Sequence, residues 1–320
     1  MTISHNRPLV LLQDEIEAAA AQIDAIAPME RAFAAYSQGR ATVPPVGEIL
    51  FPSADGEAHI KSAYIEGDDV FVVKVATGFY GNSAQGLPTS SGAMLVFSAM
   101  TGLLKAVLLD GGYLTNLRTA AAGALAAKLL APSDIARIGI LGSGAQARLQ
   151  ALLLKSVTPC RSILLWSRES ASAERCARDL ETHGFDVSVL ATPAAVAAHA
   201  RLIVTTTPAK SPLLHEGDIS SGTHITAVGS DTPEKKELAP GLVATADLVA
   251  VDSLMQSRER GELRLVETKN PRRIFELGDI VLGKAAGRTS PDHITIADLT
   301  GIAVQDVEIA KSILEALKIP

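Results

Sequence analysis

Cysteine is scarce: Cys160 and Cys176 stand alone in 320 residues. Their separation makes neither a CxxC redox pair nor a zinc spacing, which argues against a disulfide scaffold and a cysteine-built metal site. They read as ordinary residues of a cytoplasmic protein. Aromatic residues are only 4% of the chain, which suits helices packed on strands better than an aromatic-rich binding surface. An excess of positive charge is also missing, with 29 Lys and Arg against 35 Asp and Glu and a net charge of −6. Such a surface does not neutralise a phosphate backbone, so no nucleic-acid partner is expected. Uninterrupted apolar runs fall short of the roughly 18 residues a membrane helix needs, and the opening MTISHNRPLV lacks a basic-then-apolar signal layout. No membrane partner is expected. The seven histidines make no triad or metal cluster by spacing, so no metal is expected either. His224, at a strand start, reads as a packing residue.

What is present is a long, Ala-, Val- and Leu-rich chain with 47% hydrophobic residues, enough for two domains at roughly 100–200 residues each. Residues 11–38 read as helical, with Pro28 as a helix boundary. From about 42 to 110, EILFP, HIKSAYI, VFVVKVATGFY, AMLVFSAM and KAVLLD read as successive strands of an antiparallel or mixed sheet. Residues 114–131 form an Ala-rich helix. Strand and helix then alternate through ARIGILGSGAQARLQALLLKS, RSILLWSRES and SAERCARDLETHG to ARLIVTTTP, HITAVGSD and ADLVAVDS. That rhythm predicts βαβ units and a parallel sheet. The charged stretch SRERGELRLVETKNPRR reads as a solvated connection. The fold class expected is α/β: a Rossmann domain over 119–298, an α+β N-terminal domain over 1–118, and a C-terminal helix within 299–320 that joins the N-terminal domain.

Gly142-Ser143-Gly144-Ala145-Gln146-Ala147 follows the apolar Ile138–Leu141 and opens a helical stretch. This GxGxxA layout suits a dinucleotide. Gly142 permits the tight turn, Gly144 lets backbone approach the pyrophosphate, and Ala147 lets helix and strand pack closely. The helix N-terminus, at Ala145 and Gln146, offers backbone N–H groups to phosphate. At the end of the next strand, where NAD sites usually carry an acid for the ribose 2′-OH, the chain reads Ser167-Arg168-Glu169. An arginine there suits a 2′-phosphate, so NADP(H) is preferred and NAD(H) is possible. The alternative is a surface Arg168–Glu169 pair.

Two basic residues sit in apolar or small surroundings: Lys74 in VFVVKVATGFY and Arg118 in YLTNLRTAAAGALAA. A lysine in so apolar a strand needs a partner, since an unpaired buried charge is costly. Asp69 or Glu66 could pair with it. Together Lys74 and Arg118 could instead clamp a carboxylate. Asp231, in SDTPEKKEL, could be catalytic or could cap a helix.

These residues, with Gly78-Phe79, Gly86-Leu87-Pro88, Leu117-Arg118-Thr119-Ala120-Ala121-Ala122, the glycine turn, Val228-Gly229-Ser230-Asp231, Glu237-Leu238 and Thr300-Gly301-Ile302-Ala303-Val304-Gln305-Asp306, resemble the ornithine cyclodeaminase/mu-crystallin family over nearly the whole chain. The resemblance implies a homodimer formed through the N-terminal domains and hydride transfer at the C–N bond of a small amino or imino acid. It implies that Lys74 and Arg118 hold the substrate carboxylate, with Gly301 on the substrate side. It places Thr119, Thr206 and Val228 on the cofactor side and Asp231 beside the substrate nitrogen. One departure stands out: Pro44-Pro45-Val46-Gly47-Glu48 lacks the arginine that many members carry there. Lys61 is the candidate substitute, either turned inward or facing solvent. The activity expected is reduction of cyclic imino acids such as Δ1-pyrroline-2-carboxylate. Ornithine cyclodeamination, linear amino-acid dehydrogenation and non-catalytic ligand binding are the alternatives.

Overall fold

The computed structural model describes residues 7–266 and 273–319. The chain divides into two units, one comprising the residues up to Arg118 together with those from Ile302 onward, the other Thr119–Gly301.

The first unit opens with strand β1 (Leu9–Leu12), helix α1 (Gln13–Ala20) and helix α2 (Ile26–Ser37). Residues 11–38 are therefore not helical throughout. Leu11 and Leu12 belong to a strand because they pair in parallel with Leu108 and Leu109, a contact no local pattern reveals. Pro28 lies in the first turn of α2, where its missing N–H costs no hydrogen bond. Strands β2 (Ala41–Thr42), β3 (Gly47–Phe51), β4 (Gly56–Ile65), β5 (Val70–Phe79), β6 (Ser90–Ser98) and β7 (Leu104–Leu109) follow. They form a mixed sheet of order β1-β7-β6-β5-β4-β2, with β3 also on β4. Helix α3 (Tyr113–Leu130) comes next, and the division between units falls inside it.

The period-2 alternation of β5 decides where Lys74 goes. Val70, Val72 and Lys74 are buried, while Val75 is exposed. Lys74 faces Lys61 across β4 and Met94 across β6, and Met94 faces Leu108. The opposite face carries Val10, Ile60, Val75 and Leu109, all exposed.

In the second unit β8 (Ile138–Leu141), α4 (Ala145–Leu154), β9 (Ser162–Trp166), α5 (Ser170–Thr182), β10 (Asp186–Val189), α6 (Pro193–Ala197) and β11 (Leu202–Thr205) build successive βαβ turns. Strand β12 (His224–Ala227), α7 (Pro240–Thr245), β13 (Leu248–Val251), α8 (Leu254–Arg260), β14 (Ile274–Glu276), α9 (Leu277–Val281) and β15 (Thr295–Asp298) complete it. The sheet is parallel in the order β10-β9-β8-β11-β12-β15-β13-β14. Its first five places follow the doubly wound pattern, whose ligand crevice lies beyond the carboxyl ends of the strands. Its strands β8, β11, β12, β13 and β15 are buried on both faces, as their continuous apolar runs require.

The charged stretch from Ser257 is not a solvated connection where it is described. Ser257, Arg260, Glu262 and Leu263 are buried; the stretch contributes the end of α8 and a 3-10 turn at Glu262–Leu265. Buried Asp298 accepts from the Ser257 hydroxyl and from the Glu262 N–H at 2.9 Å, so local polarity is consumed by tertiary hydrogen bonds. Its remainder, 267–272, lies outside the described residues. Helix α10 (Val304–Ala316) returns to the first unit and packs on α2, β4 and β5.

Candidate active site

In the first unit two cations converge on one carboxylate. Lys74 Nζ donates to Asp306 Oδ1 at 3.0 Å and lies 2.9 Å from Oδ2, and Arg118 Nε lies 3.2 Å from Oδ1. Arg118 Nη1 donates to Gln305 Oε1 at 3.0 Å. Lys74 is 1%, Arg118 5% and Asp306 1% exposed. Neither Asp69 nor Glu66 is the partner of Lys74; Asp69 pairs with Lys105 instead. Lys61 turns inward and is buried beside Lys74. The sequence reading missed Asp306 and Gln305 as site residues. Their signal was an acid and an amide in the apolar run Ile302–Ile309, where a buried charge demands a partner. Burial brings the Lys74 ammonium down from 10.5 to about 7; Asp306 opposes that shift, while Arg118 and Lys61 reinforce it.

Asp110 anchors the start of α3 within electrostatic reach of Lys74. Its Oδ2 accepts from Leu114 N at 2.7 Å, and burial pushes its carboxyl up. Helix α3 thereby projects Arg118 from its second turn.

The second unit holds the glycine turn. Gly142 follows β8 with φ of +123°, and a Cβ there would strike the Thr206 hydroxyl. No other residue type fits both demands. Gly144 is the N-cap of α4, with open space where a side chain would stand, as close ligand approach requires. Ala147 is buried in the core. Gly142, Gly144, Ser167, Arg168 and Thr206 line one cleft of about 320 Å³. Ser143 Oγ lies 2.8 Å from Ser167 Oγ and 2.9 Å from Ser172 Oγ, linking three hydroxyls beside Arg168. Arg168 is exposed and makes no ion pair with Glu169 among the described residues. The donors, the bare glycine and the helix start fit a dinucleotide phosphate.

Thr119 lies on α3, and its carbonyl accepts from Gln150 at 3.3 Å. Val228 follows β12, its N–H donating to Thr205 O at 3.1 Å. Just beyond it, buried Glu237 gathers the ends of β11 and β12. It accepts from Thr205 Oγ1 at 2.6 Å, Thr207 N at 2.6 Å and Gly229 N at 2.8 Å. Burial raises its carboxyl despite these bonds. A Cβ at Gly229 would collide with Thr207 O and the Glu237 carboxyl. No local pattern marks Glu237 as this organiser, because most of its partners lie about thirty residues away in sequence.

Asp231 is half-buried and caps no helix: SDTPEKKEL forms a turn and extended segments. Its carboxylate takes Lys235 Nζ at 2.9 Å, and its carbonyl accepts from Arg260 at 3.2 Å. Gly301 adopts φ +80°, and its N–H donates to buried Asp252 at 2.7 Å. His224 is buried between Thr295 and Thr226 hydroxyls at 2.8 and 3.0 Å, and burial brings it down to about 3. It is a neutral packing residue.

A profile of the ornithine cyclodeaminase/mu-crystallin family matches residues 6–319. The chain belongs to that family. The uncharacterized cyclodeaminase y4tK of Sinorhizobium fredii is 42% identical over 90% of this chain and 89% of its own length. The alanine dehydrogenase of Archaeoglobus fulgidus is 33% identical over 96% of this chain and 94% of its own. Among solved structures, the Δ1-pyrroline-2-carboxylate reductase of Thermococcus litoralis, in complex with NADH and L-proline, superposes with a TM-score of 0.89. It is 26% identical, and 97% of each chain is covered. The family's fold, a parallel Rossmann-like domain with a separate α+β domain, is the fold described above.

Proposed function

We propose that this family member is an NAD(P)H-dependent reductase of small cyclic imino acids such as Δ1-pyrroline-2-carboxylate. The observation that carries the reading is the buried cluster in which Lys74 and Arg118 share one carboxylate, Asp306, with Lys61 alongside. Two buried cations on one anion leave positive charge that a ligand carboxylate compensates. Arg118 offers a planar fork and Lys74 a point charge, so together they fix both the position and the plane of that carboxylate.

The glycine-turn cleft is the proposed cofactor site, with Gly142, Gly144, Ala145 and Gln146 at the phosphates and Ser167 and Arg168 at the adenosine ribose. Thr119, Thr206 and Val228 complete the proposed contacts. A bound nicotinamide dinucleotide supplies the hydride for reduction of the C=N bond. Exposed Arg168, which makes no ion pair among the described residues, and the Ser143–Ser167–Ser172 hydroxyls support NADP(H) as the preferred form, since an acid at that position would repel a 2′-phosphate. In the reductive direction Asp231 stabilises the iminium nitrogen through its carboxylate and holds the proton that nitrogen keeps. Lys235, already 2.9 Å from Asp231, supports this role: the carboxylate accepts an alkylammonium. Lys61 is assigned to replace the arginine absent near Val46, and Gly301 to the substrate side.

That same ammonium-accepting Asp231 favours one second reading, cyclodeamination of ornithine, in which an acid orients the distal amine. An assay panel separates the two. NADPH and NADH oxidation with cyclic imino acids is measured beside ammonia and proline release from ornithine. Proline formation from ornithine, with no imine-dependent oxidation, would overturn the reductase reading.

The exposed Val10, Ile60, Val75 and Leu109 lie on strand faces opposite the buried Lys61–Lys74 row. An apolar face of this kind on an otherwise acidic chain supports a homodimer built through the first unit.

A further inference from the structure

We infer that Asp306 is a positioning residue: it bridges Lys74 and Arg118 and so sets the charge and orientation with which the pair receives a substrate carboxylate. The inference rests on the reading of Lys74 and Arg118 as carboxylate holders.

The geometry is specific. Asp306 and Gln305 stand side by side at the first turn of α10. Arg118 Nε lies 3.2 Å from Asp306 as an ion pair that makes no hydrogen bond, and Gln305 accepts from Nη1 at 3.0 Å. A guanidinium carries five N–H donors and an ammonium three. Among the described residues Lys74 pairs only with Asp306, and Arg118 only with Asp306 and Gln305. Both cations are therefore fixed on one side while keeping donors for a second anion. A carboxylate in the first turn of a helix is itself favoured by the helix dipole, which suits Asp306 to bridging two cations.

The charged groups around Lys74 come from every side of the cluster. Lys61 faces it from β4, Arg118 from α3, Asp306 from α10, and Asp110 from the turn before α3. Burial, Arg118 and Lys61 all disfavour the Lys74 ammonium, and Asp306 is the chief group favouring it. Without Asp306 the lysine becomes neutral at a lower pH and no longer attracts a carboxylate.

The test compares full-length wild type with Asp306→Asn, using cofactor binding and melting temperature to confirm folding. The Lys74 ionisation midpoint is followed by NMR of protein labelled with 13Cε-lysine, assigned with Lys74→Met. It is expected to fall by about one pH unit or more in D306N, because an adjacent carboxylate favours the ammonium. Titration calorimetry with pyrrole-2-carboxylate, on cofactor-loaded protein, reads recognition directly. The D306N-to-wild-type ratio of Kd is expected to grow from about 2 at pH 6 to about 10 or more at pH 8.

An unchanged midpoint with a pH-independent ratio would reduce Asp306 to a structural ion pair and overturn the inference. Wild type that binds no carboxylate and reduces no imine overturns the functional reading instead. If D306N does not fold, Asp306→Glu decides. It keeps the charge but moves it by a methylene, so the midpoint should stay near wild type while carboxylate binding weakens about tenfold. Wild-type affinity in D306E would overturn the inference.

Discussion

At the scale of single residues, the chemistry follows from placing cations where water is not. Lys74 has a folded value lowered to about 7, so it passes from ammonium to amine as pH rises through the neutral range. Carboxylate binding is therefore expected to weaken above about pH 7, seen as a rising KM with kcat less affected. Lys74→Met should flatten that profile. The stability linkage has a definite sign: between about 7 and 10.5 the unfolded chain binds more protons, so this residue makes stability rise with pH across that window. Arg118→Lys removes the planar fork and is expected to raise KM about 10–100-fold, the cost of losing a charge-assisted bidentate contact. Arg168→Asp should shift preference toward NADH; an unchanged NADPH/NADH ratio of kcat/KM would remove the argument for a 2′-phosphate site.

At the scale of elements, the second unit is knitted by buried acids that take over unpaired backbone donors. Glu262 accepts from Glu237 N at 2.8 Å and Leu238 N at 3.3 Å, tying the 3-10 turn to the segment after β12. Asp298, at the end of β15, accepts from Ser257 and Glu262. Burial, with mutual repulsion, pushes Glu262 up to about 8; burial also pushes Asp298 up to about 7, against its hydrogen bonds. Both carry protons in the folded state where the unfolded chain has lost them. Their linkage runs opposite to that of Lys74: stability falls as pH rises from about 4 to about 8. Glu262→Gln should flatten the fall in melting temperature over that range, where each 1 kcal/mol moves the midpoint by about 2–4 °C. A slope identical to wild type would show that Glu262 ionises freely. The elements themselves were largely legible: the runs HIKSAYI, VFVVKVATGFY, AMLVFSAM and KAVLLD marked β4 to β7, and the GxGxxA turn marked β8 and α4. β1 was not, because a four-residue strand at a sheet edge owes its existence to a partner nearly a hundred residues away.

For the whole molecule, the same alternation that buries Lys61 and Lys74 turns Ile60 and Val75 to the other side, where they are cross-strand neighbours. Their exposure of 38% and 37% is the cost of placing charged chemistry on the inner face and branched residues on the outer. Covering that face by a second copy removes it from water, at about 25 cal/mol per Å² of apolar surface. Val75→Asp is expected to convert the proposed dimer to monomer in light scattering while leaving the proposed dinucleotide binding intact. A wild-type chain that is monomeric at micromolar concentration would refute the homodimer.

The amino-acid sequence by itself determined the α/β class, the tight glycine turn and the cations on which the proposed site rests. Glycine at 142 and 144 and a lysine inside an apolar strand carry their reasons locally, in backbone freedom and in the cost of burying charge. Partnership was decided only by tertiary structure. Lys74 meets Asp306 across 232 residues, Asp231 pairs with Lys235 rather than capping a helix, and Glu237 binds backbone that sequence order keeps apart. Lys61 could have faced either way until the β4–β5 register set it beside Lys74. Electrostatic partners depend on distance in space, and spacing along the chain reports that distance only within a helix turn or a strand pair.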